Sequence, residues 1–198
     1  VKSLNNIKNK ISIMLLIFTT MVLINTNNSM AVEYYVQKGD NNEVKFISKA
    51  PVEDFEGVTN SIDGYLKSNK DDFSEGEVYF EVDLRKLNTG IGLRDRHMRE
   101  NYLHTDKYPY ANYTGKIYKS TKINDNTFEV EANGKFKVHG IEKDTYIKAT
   151  ITTGAIPNVK TAFYASLPDH NIEVPSLMFQ KISDKMKVTV DFNLKLAK

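Results

Sequence analysis

The chain has 198 residues, 40% of them hydrophobic, enough for one sizeable core and too few for two ordinary domains. It holds eleven Tyr and ten Phe but no Trp and no Cys. This excludes a disulfide scaffold, a cysteine-based zinc site, an iron–sulfur cluster, a cysteine nucleophile and a lipidated N-terminal cysteine. The formal charge of +2 is set by the first residues. Lys2, Lys8 and Lys10 precede residues 11–24, which are apolar except for Ser12, Thr19 and Thr20, and Ser29-Met30-Ala31 then places small residues where a signal peptidase reads. This order predicts a secretory signal over residues 1–31, cleaved after Ala31; a spanning helix needs about 20 apolar residues. The signal carries three of the 27 Lys and Arg and none of the 25 Asp and Glu, so the mature chain keeps 24 against 25 and a charge of −1. Without a whole-molecule positive field it has no pull toward nucleic acid or an anionic membrane surface.

Beyond residue 32 the sequence alternates. In residues 77–85, Val78, Phe80, Val82 and Leu84 alternate with Glu77, Tyr79, Glu81, Asp83 and Arg85, the pattern of a strand with one buried face. Residues 127–138 alternate likewise through Phe128, Val130, Ala132, Gly134, Phe136 and Val138, and residues 187–196 through Val188, Val190, Phe192, Leu194 and Leu196. Weaker strands are read at 32–37, 43–49, 57–66, 111–118, 146–152 and 159–167, separated by turn signals such as Lys38-Gly39-Asp40, Asn124-Asp125-Asn126, Glu142-Lys143-Asp144 and Ala155-Ile156-Pro157. Strands of ten to twelve residues exceed the usual five or six or so and suit a closed barrel, which also removes exposed edges. The expected fold is all-β, an antiparallel barrel of eight or nine strands with one or two short helices. Gly134 falls on the apolar face, where the missing side chain permits a sharp bend. Residues 93–102 read as a short solvated helix and residues 176–183, after Pro175, as two turns that plug one barrel end.

Motifs of catalysis are scarce. The histidines His97, His104, His139 and His170 stand in four separate contexts with no His-Glu-x-x-His, so metal and cofactor are not expected. No Gly-x-Ser-x-Gly, Ser-x-x-Lys or phosphate loop is present, and Thr89-Gly90-Ile91-Gly92 reads as a tight turn. The densest charge cluster is Arg94, Asp95, Arg96 and Arg99: either a solvated helix face, or a place where one Arg or His97 turns inward to hold a polar head group.

The segment Thr89-Gly90-Ile91-Gly92-Leu93-Arg94-Asp95-Arg96-His97-Met98-Arg99, with Tyr108-Pro109-Tyr110-Ala111-Asn112-Tyr113, resembles the YceI-like family of bacterial periplasmic proteins. Three further segments agree in order: Asn133 onward through Val138-His139-Gly140-Ile141, the strand from Phe163 toward Pro175, and Lys181-Ile182-Ser183-Asp184 before the terminal strand. The resemblance implies an all-β fold over residues 32–198, an extended antiparallel eight-stranded lipocalin-like barrel with one or two short helices, that sequesters a polyisoprenoid, isoprenoid quinone or fatty-acid derivative without catalysis, in the periplasm or the external medium. It implies a lipid partner, with the membrane only as lipid source; near-neutral charge and export speak against nucleic acid, and the long polar outer faces leave room for a homodimer. The inward set Val78, Phe80, Val82, Phe128, Val130, Phe136, Val138, Phe163, Val190 and Phe192 is either ligand wall or plain core. Arg94, Asp95, His97 and His139 are the polar candidates from the family motif. The competing expectations are a lyase or isomerase acting on an amphiphile, which would need His97 or His139 beside a carboxylate, and a structural or stress protein with a filled barrel.

Overall fold

A computed structural model describes residues 31–49, 54–177 and 180–197. The expected signal, apart from Ala31, lies outside the described residues. Twelve strands are present among the described residues: β1 (Val32–Val36), β2 (Glu43–Ser48), β3 (Phe55–Thr59), β4 (Ile62–Ser68), β5 (Glu77–Asp83), β6 (Tyr110–Asn124), β7 (Thr127–Val138), β8 (Ile141–Thr152), β9 (Asn158–Ser166), β10 (Ser176–Leu177), β11 (Gln180–Lys181) and β12 (Lys185–Leu196). One α-helix, α1 (Gly92–His97), runs into a π-helical turn over Met98–Tyr102, marked by Leu103 N–H donating to the Met98 carbonyl at 2.9 Å.

The sheet runs β1-β4-β5-β6-β7-β8-β9-β12, and β12 returns to β1, so eight antiparallel positions close. β1 and β2 lie end to end on one edge of β12: Val36 pairs with Leu194 and Val44 with Val190. Asn42 stitches the loop between them. Its side chain is buried, donating to the Gln37 carbonyl at 2.9 Å and accepting from Asn193 N–H at 3.0 Å. β3 and β4 are likewise two pieces of the strand expected at 57–66, broken where Thr59 Oγ1 accepts from Ser61 N–H at 3.1 Å.

Two expected elements, a turn and a helical plug, are placed differently. Glu142, Lys143 and Asp144 are strand residues opposite Lys137, Phe136 and Lys135, and the turn is His139-Gly140, where both φ angles are positive, 52° and 76°. Two consecutive positive φ values are what a two-residue type I′ hairpin turn demands, and its twist matches that of the strands it joins. The residues expected as a helical plug at 176–183 instead form the β10–β11 hairpin, Ser176 opposite Lys181, with Met178 and Phe179 outside the described residues.

Gly134 pairs with Gly115 on β6, and the Tyr113 ring lies across both. A Cβ at Gly134 would stand 2.3 Å from the Thr114 carbonyl oxygen and 2.6 Å from Gly115 Cα. The glycine therefore serves a close approach of two strands under an aromatic ring. One end of the barrel is sealed by Phe73, 3% exposed, with ring centroids 6.1 Å from Tyr34 and 5.5 Å from Phe128. The other end is covered by a second cluster: Leu84, Leu87, Ala111, Val138 and Ile172, joined by Met98, Tyr102 and Leu103 from the π turn and its exit.

Candidate functional site: an apolar barrel cavity

Inside the barrel is a cavity of about 600 Å³, within the range of roughly 300–1,000 Å³ typical of small-molecule pockets. Protein interiors seldom leave voids larger than a water molecule, so a fold that keeps this one forgoes packing that would stabilise it. The wall follows from strand alternation. Val78, Phe80 and Val82 of β5, Val130, Phe136 and Val138 of β7, Phe163 of β9, and Val190 and Phe192 of β12 all line it. Ile62, Leu66, Ile117, Ile147 and Ile151 complete the apolar surround.

Polar groups are few: Lys45, Arg94, His97, Tyr102, Asn112, Thr161, Ser166, His170 and Ser176, with the Tyr113 hydroxyl sharing its proton between the Ala132 and Thr145 carbonyls, each at 3.3 Å. Among the described residues, no Asp or Glu lines the cavity, and no group of three His, Cys, Asp or Glu converges to hold a metal. The Tyr113 phenol, taken out of water, is pushed up to about 12 and stays neutral across the physiological range.

Three sequence candidates lie away from the wall. Phe128 belongs to the end plug against Phe73. Asp95 is 8% exposed and accepts from Thr89 N–H at 2.7 Å and Thr89 Oγ1 at 2.6 Å, while Arg94 donates to Thr89 Oγ1 at 2.9 Å and to its carbonyl at 2.7 Å. The Arg94 guanidinium also sits 4.7 Å from the Phe55 ring centroid. Asp95 thus fastens the Thr89 turn to α1 and holds Arg94 at the rim, where Ile91 and Leu93 are both more than half exposed. Asp95→Ala leaves the half-buried Thr89 donors without their acceptor and is expected to cost about 1 to 3 kcal/mol, read as a lowered unfolding midpoint and faster amide exchange across α1.

His139 is the third. Its Nδ1 donates to the His170 carbonyl at 3.1 Å, which leaves Nε2 to accept from His104 Nδ1 at 2.8 Å. Both of its ring nitrogens are occupied by partners other than carboxylates. Sequence spacing gave no sign that His104, His139 and His170 meet, because each comes from a different connection. His170 does line the cavity; its Nδ1 donates to the Ile141 carbonyl at 3.0 Å and its ring stands edge-on to Phe136 at 5.4 Å. Burial lowers its pKa below the ordinary value. The folded chain therefore binds this proton less readily than the unfolded chain, so stability is expected to fall as pH drops through about 6.5. Thermal unfolding scanned from about pH 8 to about pH 5 checks this, and His170→Asn should flatten that slope.

The geometry defines a class: closed eight-stranded antiparallel barrels with an apolar interior cavity and a short helix over one end. Within that class the chain belongs to the YceI-like domain family, whose model matches residues 34–194. Solved structures share the fold. BcnA of Burkholderia cenocepacia superposes with a TM-score of 0.64 at 16% identity, covering 82% of this chain and 99% of that one. A polyisoprenoid-binding domain of Saccharophagus degradans, implicated in plant cell wall breakdown, gives 0.65 at 15%, covering 83% and 98%. A mutant YceI protein of Campylobacter jejuni gives 0.57 at 16%, covering 75% and 86%. No curated protein matches the sequence.

Proposed function

We propose that the protein is an exported, non-catalytic carrier that holds the chain of a long amphiphile, a polyisoprenoid, isoprenoid quinone or fatty-acid derivative, inside the barrel. The carrying observation is the cavity of about 600 Å³ whose wall is apolar along its length and polar only in scattered places. Each buried methylene contributes about 0.8 kcal/mol, so an aliphatic or isoprenoid chain is retained without any specific polar contact inside. Arg94, pinned by Thr89 and Phe55, and His97 on the same helix supply a charge and an imidazole at the rim, where a head group emerges. The polyisoprenoid-binding domain that shares this fold supports the ligand class, and the signal pattern of residues 1–31 supports export.

The test is solvent extraction of protein purified from its native compartment, followed by mass spectrometry. A stoichiometric long-chain amphiphile is the expected result. Protein that releases nothing and also fails to take up retinol or cis-parinaric acid overturns the reading.

A further inference from the structure

Seven of the eight barrel seams are zipped along the shorter strand or by two strands laid end to end; the seam between β8 and β9 is not. β8 spans Ile141–Thr152 and β9 Asn158–Ser166, yet they pair only from Ala149 opposite Thr161 to Thr152 opposite Asn158. Beyond that point residues 141–148 pair with β7 alone and residues 162–166 with β12 alone. A slit therefore opens from the rung at Ala149 toward the end covered by α1. Both banks line the cavity, Ile147 and Ala149 on one side and Phe163 and Ala165 on the other.

What spans the slit is side chain, not ladder. At its vertex Thr161 Oγ1 donates to the Lys148 carbonyl at 2.8 Å, and at its far end His170 holds the Ile141 carbonyl. Between them the Phe163 ring closes from inside against Phe136, centroids 5.3 Å apart at 74°. Extending the β8–β9 register places Tyr146 opposite Tyr164, both on the outer face and 51% and 69% exposed.

The geometry points to this slit as the passage through which a long-chain amphiphile enters and leaves the cavity sideways, with Phe163 as its movable leaf. The inference rests on the carrier reading. The two barrel ends are poorer routes. One is filled by Phe73 between Tyr34 and Phe128, and the other lies under α1, which Asp95 and Arg94 tie to Thr89. Parting the slit breaks no backbone ladder bond between β8 and β9 above the Ala149 rung, because none joins them there; it requires that Thr161 Oγ1 release Lys148, that His170 release Ile141 and that one ring rotate. A flexible chain can then slide in broadside instead of threading end-on.

The chain has no cysteine, so the double variant Tyr146→Cys/Tyr164→Cys offers the only two thiols and can be joined by a short bis-maleimide. Stopped-flow mixing with cis-parinaric acid, followed by chase with unlabelled oleate, reads entry and exit. The unjoined variant should behave as the parent protein, and joining should slow both rates roughly tenfold or more, as expected when a gate limits exchange. Unchanged rates after joining overturn the passage while leaving the carrier reading intact; that result is also what a slit used only to receive another chain's strand would give. Phe163→Ala provides an independent reading: trimming the leaf should raise the association rate about threefold or more even as affinity falls, and an unchanged or slower association rate overturns the inference. Failure of the parent protein to bind the probe removes the carrier reading itself.

Discussion

Phe192→Ala is expected to lower the unfolding free energy by about 3 to 5 kcal/mol, among the largest effects of any single truncation in this barrel. The side chain is 2% exposed at the middle of β12, opposite Val159, with its ring 4.8 Å from that of Phe80. Removing it loses the transfer free energy of the ring and leaves a void that a closed barrel cannot collapse into, because the surrounding strands are fixed by their ladders. Phe163→Ala on the neighbouring strand is the informative contrast. Both rings border the cavity, but that of Phe163 is only partly buried, so truncation there gives up less buried apolar area, at a cost of about 1 to 2 kcal/mol. Urea unfolding with a common slope measures both. Equal losses at the two sites would mean that the wall near Phe163 is packed core, which is what a filled barrel requires.

That contrast marks where the sequence stops being legible. Alternation in residues 77–85, 127–138 and 187–196 identified the inward faces of β5, β7 and β12, because a strand's period of two is a property of the backbone alone. It does not say what an inward side chain meets. Phe128 and Phe136 lie on the same face of β7, yet one packs in the end plug and the other faces the cavity. The difference is made by Phe73, which comes from the loop between β4 and β5 and has no periodic context of its own. Where the barrel is filled and where it is hollow is decided by strand number, tilt and such long-range insertions.

The turns show a second limit. Glu142-Lys143-Asp144 has turn-like composition, but exposed positions at the end of a barrel strand accept charge as readily as a loop does. Lys135 and Lys137 on β7 lie 3.3 and 3.8 Å from Asp144 and Glu142 across the rung. His139-Gly140, the actual turn, is legible only through the backbone requirement for two positive φ values. The same requirement brings His139 to the spot where His104 and His170 converge, a meeting that spacing along the chain does not encode.

Gly64→Ala is the second large effect, at about 3 kcal/mol or more. Gly64 has φ +138°, a conformation that an L side chain seldom adopts, and it sits in β4 opposite Phe80 of β5. A Cβ there would lie 2.1 Å from the Tyr79 carbonyl oxygen and 2.7 Å from Phe80 Cα. These are backbone atoms held in the sheet, so relief requires β4 and β5 to separate or Gly64 to change conformation; backbone strain and overpacking each cost about 1 to 3 kcal/mol. Gly115→Ala is expected to cost less, because the nearest atoms its Cβ would meet, at 2.7 to 2.8 Å, belong to the outer end of the Tyr113 side chain and not to backbone. Gly92→Ala is the control: nothing lies within 4 Å of the added atom at the first residue of α1, and an Ala there stabilises a helix by roughly 0.5 to 1 kcal/mol. Thermal unfolding of the three variants should rank Gly64→Ala lowest and Gly92→Ala at or above the parent protein. A Gly64→Ala barrel as stable as the parent would mean that β4 and β5 do not approach this closely, and with them the wall formed by Ile62, Leu66, Val78 and Phe80 would have to be drawn differently.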